Sequence, residues 1–168
     1  MAFTYSKLAE STVGSGGSST ITFSNIPQNY TDLVLKTSLR LSAAADWCGL
    51  TINGNTANFS GRELTGNGTS ATSYTRTTYQ FIVIANQSGY TASTFSNSEL
   101  YFPNYAGSTN KSFSADQVQE TNATAANSML DAFLWSNTTA INQLTITPSA
   151  GTFVQYSTAY LYGVKAEV

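Results

Sequence analysis

The clearest pattern of apolar and polar positions runs from Leu33 to Leu41. Leu33, Leu35, Thr37, Leu39 and Leu41 fall on one face, and Val34, Lys36, Ser38 and Arg40 on the other. Alternation of this length marks a strand with one buried side. Ser19–Ser24 repeats the pattern with Ile21 and Phe23, and Pro27, which has no N–H, takes the chain out of the ladder. Trp47–Ile52 predicts another strand, followed by a turn at Asn53-Gly54. Residues 55–72, with Gly61, Gly66 and Gly68, read as a long loop. Tyr74–Ala85 predicts one long strand whose apolar end, from Phe81, is central in a sheet. Ser98–Phe102 stops at Pro103. Lys111–Glu120 alternates weakly, and its face of Phe113, Ala115 and Gln117 is so little apolar that it predicts an edge strand. Met129–Trp135 carries large apolar groups on both sides, so both are expected to be covered. Ala140–Thr147, closed by Pro148, and Thr158–Val164 complete the set.

Phe3–Leu8 predicts a short first strand. Ser11–Ser19 (STVGSGGSS) is either a flexible joint or a long inter-strand loop. The expected division is therefore an N-terminal arm with its joint over residues 1–18 and one β-sandwich over residues 19–168. About eight to ten strands with no convincing helix predict an all-β fold, an antiparallel two-sheet sandwich. A jelly roll with a short N-terminal arm is the first choice, and an immunoglobulin-like sandwich the second.

Composition removes most chemistry. Ser, Thr and Asn make up 61 of the 168 residues, and only 10% are charged. There is no histidine, which excludes a Ser-His-Asp triad, a Cys-His dyad and every His-containing zinc site. The single cysteine, Cys48, allows no intrachain disulfide and is expected to be a buried small hydrophobe. A net charge of −2 with seven Lys and Arg leaves no basic stripe for nucleic acid. The longest wholly apolar stretch, Phe81–Ala85, is far too short to span a membrane. The N-terminus has no apolar signal region, which predicts a chain outside the secretory pathway. Asn-x-Ser/Thr triplets, such as those at Asn29, Asn58 and Asn67, are therefore expected to stay unmodified.

Candidate sites are weak. A glycosidase needs two facing carboxylates, and the nine here (Glu10, Asp32, Asp46, Glu63, Glu99, Asp116, Glu120, Asp131 and Glu167) are scattered. No calcium-loop pattern is present, although a loop site of Asn and carbonyl oxygens stays open. Trp47, Tyr74, Tyr90, Tyr105 and Trp135 are the aromatic material of a sugar-binding surface, with core or interface packing the stronger expectation. No enzyme activity, cofactor or metal is expected. Phe3 and Tyr5, two aromatics on a terminal arm, are the expected partner-binding residues, because ordering such an arm is offset only if something covers its rings.

From Ser19 onward the chain resembles a family of virion-surface β-sandwich proteins from tailed bacteriophages, especially those of cyanobacteria and marine bacteria. The carrying motifs are Ser19–Leu33 (STITFSNIPQNYTDL), Leu50–Gly54 (LTING) and Tyr101–Tyr105 (YFPNY). Ala140–Ile146 (AINQLTI), Gly151–Phe153 (GTF) and Leu161–Val164 (LYGV) follow in that order. The resemblance implies a capsid cement (decoration) protein that binds the major capsid protein shell and stabilises it. It would be located on the virion, made in the host cytoplasm, and bound to neither nucleic acid nor membrane. The alternative is a tail or fibre module binding a host surface glycan. The resemblance carries over no binding residues; Tyr30 and Asp32 are its polar exceptions, Tyr30 being expected to anchor a corner by its hydroxyl. Lysines that could guard sheet edges are few, Lys7, Lys36 and Lys111 among the four in the chain, so subunits are expected to cover one another. A homotrimer follows from capsid three-fold positions.

Overall fold

The computed structural model describes residues 3–123 and 126–166. In chain order the strands are β1 (Phe3–Thr12), β2 (Ile21–Phe23), β3 (Asp32–Leu39), β4 (Trp47–Ile52), β5 (Phe59–Gly66) and β6 (Ala71–Arg76). After a short 3-10 turn at Tyr79–Phe81 come β7 (Val83–Ile84), β8 (Ser96–Phe102), β9 (Lys111–Gln119), β10 (Asn127–Trp135), β11 (Leu144–Pro148) and β12 (Thr158–Ala166). An eight-stranded sheet has the order β1-β12-β3-β8-β9-β10-β5-β6, and a four-stranded sheet the order β2-β11-β4-β7. All named pairings are antiparallel. The sheets pack face to face, so the all-β, two-sheet sandwich expected from the sequence is what the chain forms.

The core follows from the alternation. Leu33, Leu35, Leu39, Leu100 and Leu161 of the large sheet meet Ile21, Leu50, Ile52, Leu144 and Ile146 of the small one in a single buried cluster. Val34 is buried too, on the opposite face, where it sits between its register neighbours Tyr101 and Tyr162.

Several expectations are corrected. The first strand expected over Phe3–Leu8 forms as β1 and runs on to Thr12, but it belongs to the large sheet and not to a separate arm: it pairs with β12 from Phe3↔Ala166 to Thr12↔Thr158 with one irregularity between Lys7 and Ala9. Residues 13–18 are not a free joint: Val13 N–H donates to the Ser157 carbonyl and Ser18 N–H to that of Phe153, at 2.9 and 3.0 Å. Residues 55–72 contain β5 and enter β6, a hairpin whose serines and glycines hid its period. Tyr74–Ala85 is not one strand; it is broken by the turn at Tyr79–Phe81. Strand β9 is interior, between β8 and β10, because its inward side chains are amides as well as hydrophobes.

The corner at Ile26-Pro27 is held by a different tyrosine from the expected one. Tyr105 is fully buried and its hydroxyl donates to the Pro27 carbonyl. Tyr30 serves by its ring, which lies over Gly163; a Cβ at Gly163 would come within 2.4 Å of it.

Leu39→Ala is expected to cost about 2–5 kcal/mol in a denaturant titration, the range for emptying a core leucine site; under about 0.5 kcal/mol would mean an unburied face. Removing residues 1–10 is expected to lower the melting temperature markedly, since β12 loses its outer partner, and an unchanged value would mean that β1 is unpaired in solution.

Candidate functional site

Eight strands face four, so part of the large sheet's inner face lies beyond the small sheet. Strand β7, the edge of the small sheet, lies against β8 and β9, and β10, β5 and β6 continue past it. At one end of this overhang the inner face is apolar. Phe133 stacks on Phe113 at 5.4 Å and Trp135 on Phe59 at 6.4 Å. Gly61 makes room for Phe133, whose ring a Cβ at that position would approach to 2.3 Å.

At the other end the inner face is polar. Asp131 and Glu63 are register partners across β10 and β5, and both are buried. Arg76 of β6 meets Glu63 Oε2 through Nε at 2.6 Å and through its other nitrogen at 2.5 Å. Its guanidinium also lies 4.8 Å from the Trp47 ring centre, 5.0 Å from Tyr74 and 5.1 Å from Phe81. A cation among ring faces is electrostatically favoured, so the rings and Glu63 fix Arg76 together. Asp131 accepts from Gln117 Nε2 at 2.7 Å, while its Oδ1 is buried with no partner among the described residues. Burial pushes the Asp131 carboxyl up to about 6; Glu63 adds to the shift, whereas Gln117 and Arg76 oppose it.

Two glutamines of β9 fasten the edge of the small sheet. Ile84 N–H donates to Gln117 Oε1 at 2.9 Å, and the Ile84 carbonyl accepts from the Ser96 hydroxyl at 2.9 Å. Gln119 Nε2 donates to the Ala85 carbonyl at 2.9 Å and to Asp46 Oδ1 at 3.1 Å. Asn127 Nδ2 in turn donates to Gln119 Oε1 at 2.8 Å, and Gln87 Nε2 to Asp46 Oδ2 at 3.0 Å. The Tyr90 hydroxyl is raised chiefly by burial, and Asp46 beside it adds to the shift while Gln87 opposes it.

Between this network and the overhang lies a cleft of about 190 Å³. Trp47, Tyr74 and the Arg76 between their rings line it, together with Thr65, Gln119 and Asn127. Thr65 Oγ1 is buried there without a hydrogen-bond partner among the described residues.

The sequence candidates separate cleanly. Trp47 and Tyr74 come together at the cleft, and Tyr90 stands beside its Asp46 wall. Tyr105 and Trp135 are fully buried in the core. Asp32 clamps a turn, accepting from the Tyr101 hydroxyl at 2.6 Å and from Asn104 N–H at 2.8 Å. That bond, with burial behind it, pushes the Tyr101 hydroxyl up to about 12. Cys48 is buried, as expected, and burial pushes its thiol far up. Tyr5 is 53% exposed on β1, its ring edge-on to Tyr162 at 6.4 Å. The side chain of Phe3 lies outside the described residues. The Glu63–Arg76–Asp131 set and the two glutamines went unread, although the spacing of Lys111, Phe113, Ala115, Gln117 and Gln119 at every second residue was their signal.

The outer face of the overhang is different again. Leu64 and Leu130, register partners on β5 and β10, are 52% and 58% exposed. Val118 on β9 is 41% exposed beside them. No protein-family model, no curated protein and no solved structure matches the chain.

Unfolded, Asp131 ionises near its ordinary value of 3.8; folded, it holds its proton to about 6. Below the lower value both states are protonated and burial carries no ionic penalty. Between the two values the unfolded chain ionises first, so the Asp131 contribution falls as pH rises and is lost above the upper one. Asp131→Asn removes this penalty, so its melting temperature should gain on the native protein from pH 4 to pH 7. A difference that shrinks over that range would contradict the assignment.

Proposed function

We propose that the chain is a non-enzymatic virion protein of a tailed bacteriophage, a capsid cement protein that binds the major capsid protein shell and works by contact area. The observation that carries this reading is the exposed apolar set Leu64, Leu130 and Val118 on three neighbouring strands of one sheet face. Exposed apolar residues grouped in this way mark interaction surfaces. The order of sequence motifs resembling phage virion-surface proteins supplies the partner. The engagement of the acids supports a role without catalysis: Asp32, Asp46, Glu63 and Asp131 each hold a structural partner, and Glu99 pairs with Lys36 at 2.8 Å.

Strand order supports the jelly-roll reading. Without the hairpin strands β5–β6 and β9–β10, the sheets are β1-β12-β3-β8 and β2-β11-β4-β7. Successive strands then alternate between the two sheets except at β4 and β7, which pair with each other in the small sheet, as two interlocked Greek keys require. Homo-oligomerisation, with a trimer as the expected state, draws support from the edges. Strand β1 carries an irregularity and the Lys7–Glu10 pair at 2.6 Å, both of which blunt an edge. Strand β6, at the other end, has no lysine, no proline and no register shift, and its residues 71–75 are exposed. Lys111, expected as an edge guard, is buried, with its ammonium on the Gly107, Thr109 and Thr138 carbonyls.

A cement protein adds binding free energy to the assembled shell and none to separated capsomers, so it stabilises the shell alone. Phage particles lacking the gene should release DNA at a lower temperature yet infect when fresh. Leu130→Asp should reduce attachment to shells while leaving the melting temperature of the isolated protein unchanged. Particles that are equally heat-stable but fail to adsorb to cells would replace the cement reading with the glycan-binding fibre module.

A further inference from the structure

We propose that Asn67, at the tip of the β5–β6 hairpin, is a site of self-modification, its side-chain amide being converted to a carboxylate after attack by the Gly68 backbone nitrogen. The chain has two Asn-Gly pairs, Asn53-Gly54 and Asn67-Gly68. A glycine after asparagine leaves its own nitrogen unshielded, because no side chain stands beside it. Once deprotonated, that nitrogen adds to the asparagine Cγ. The Cγ–Nδ2 bond then breaks, and Nδ2 leaves as ammonia with the proton that the backbone N–H gave up. Water opens the remaining cyclic imide at one of its two carbonyls. One opening gives aspartate; the other gives isoaspartate, in which the main chain runs through the former side chain. Water is the only reactant besides the chain itself, so the step holds whether or not the protein is cement.

The fold treats the two pairs differently. Asn53 is tied to the segment before β11. Its Nδ2 donates to the Ala140 carbonyl at 2.8 Å, and its Oδ1 accepts from the Asn142 and Gln143 N–H groups at 2.9 and 3.1 Å. Addition at Cγ makes the flat amide tetrahedral and ends in the loss of Nδ2, so reaction at Asn53 disturbs all three bonds. Each such bond shifts an equilibrium by roughly two- to tenfold. Asn67 is exposed, as are Gly68, Thr69 and Ser70. Its Nδ2 makes no hydrogen bond among the described residues, so ammonia can leave directly into water. Its Oδ1 accepts from the Thr69 and Ser70 N–H groups at 3.0 and 2.8 Å. That oxygen takes the negative charge when nitrogen adds, and backbone donors placed on it stabilise the charge. The same bonds fold the side chain over the turn that contains the attacking nitrogen. Gly68, at φ +83°, has open space where a Cβ would stand, and its N–H is unbonded among the described residues.

The products change this end of the hairpin. Aspartate can keep both turn bonds, and it adds a negative charge to the groove that Asn67 lines with Val118 and Glu120. Isoaspartate lengthens the main chain within a turn closed by the Asn67 N–H on the Ser70 carbonyl at 3.1 Å, which loosens it.

Trypsin reads the two sites separately. Cleavage after Arg62 and Arg76 releases residues 63–76, whose only asparagine is Asn67, while Asn53 lies in residues 41–62 together with Asn55 and Asn58. The full chain is incubated in mildly alkaline buffer, folded in one series and unfolded by guanidinium in the other. Both peptides are followed by mass spectrometry for the exchange of an amino group for a hydroxyl, with fragmentation to place the change in residues 41–62. In the unfolded series the two asparagines should react at similar rates. In the folded series Asn67 should react about tenfold or more faster than Asn53. Its peptide should also divide into two products of equal mass, the aspartate and isoaspartate forms. Asn67→Gln should abolish the change in residues 63–76, because a glutamine has to close a larger ring. Equal rates at the two sites in the folded chain overturn the proposal. So does an Asn67 that stays intact when folded over a time in which the unfolded chain reacts at both sites.

Discussion

The structure depends on how Ile84 is satisfied. Strand β7 is two residues long and pairs with β4 on one side only. Its other edge would expose a donor and an acceptor in the interior, at a cost of about 1–3 kcal/mol for each group left unpaired. Side chains of the facing sheet fill the role of a missing strand: Gln117 takes the N–H and Ser96 gives to the carbonyl. The small sheet can therefore stop at four strands while the large one goes on to eight. Everything distinctive about the molecule lies in the overhang that this stop creates.

An overhang needs a cover, and this one is covered in two ways. Where rings can reach, Phe133, Trp135 and Phe59 close over it, with Gly61 giving the space. Farther along, Arg76 folds back from the last strand and is caught between Glu63 and three rings. A buried ion pair of this kind adds little net stability, because desolvation offsets attraction, but a partner lost from it leaves a bare charge. Its effect is to fix β6 in one position on the body. The same logic holds Lys111 under the loop that follows β8: its ammonium donates to the Gly107 and Thr138 carbonyl oxygens.

The legible part of the fold was the part where one face is apolar. Leu33–Leu41, Trp47–Ile52 and Met129–Trp135 announce strands because their buried positions are large hydrophobes, and the sandwich follows from their number. Strand β9 buries Lys111, Gln117 and Gln119, so it reads as surface although it is interior. Strands β5 and β6 are thin in hydrophobes because half of their inner face holds Glu63, Arg76 and Tyr74, and they read as loop. Of the candidate site, Trp47 and Tyr74 were visible as exposed-type aromatics, but nothing in a linear sequence places residues 27 apart on opposing walls. Tyr105, a candidate of the same kind, became a core residue because its hydroxyl found the Pro27 carbonyl.

Both faces of the overhang follow from alternation along β5, β9 and β10. Alternation sends Leu64, Leu130 and Val118 outward by the same rule that sends Glu63, Asp131 and Gln117 inward. Had the inner face been covered by a longer small sheet, the inward residues would have had to be hydrophobes, and the cleft beside Trp47 would have closed. Strands β5, β9 and β10 thus mix polar and apolar groups on both faces: Glu63, Asp131, Gln117 and Gln119 are tied down among inward rings, and Leu64, Leu130 and Val118 stand outward among polar and charged neighbours. The inward polar groups are confined to the overhang, while β3, β11 and β12 bury hydrophobes. Exposed Leu64 and Leu130 on one side and a polar cleft on the other are the direct physical consequences.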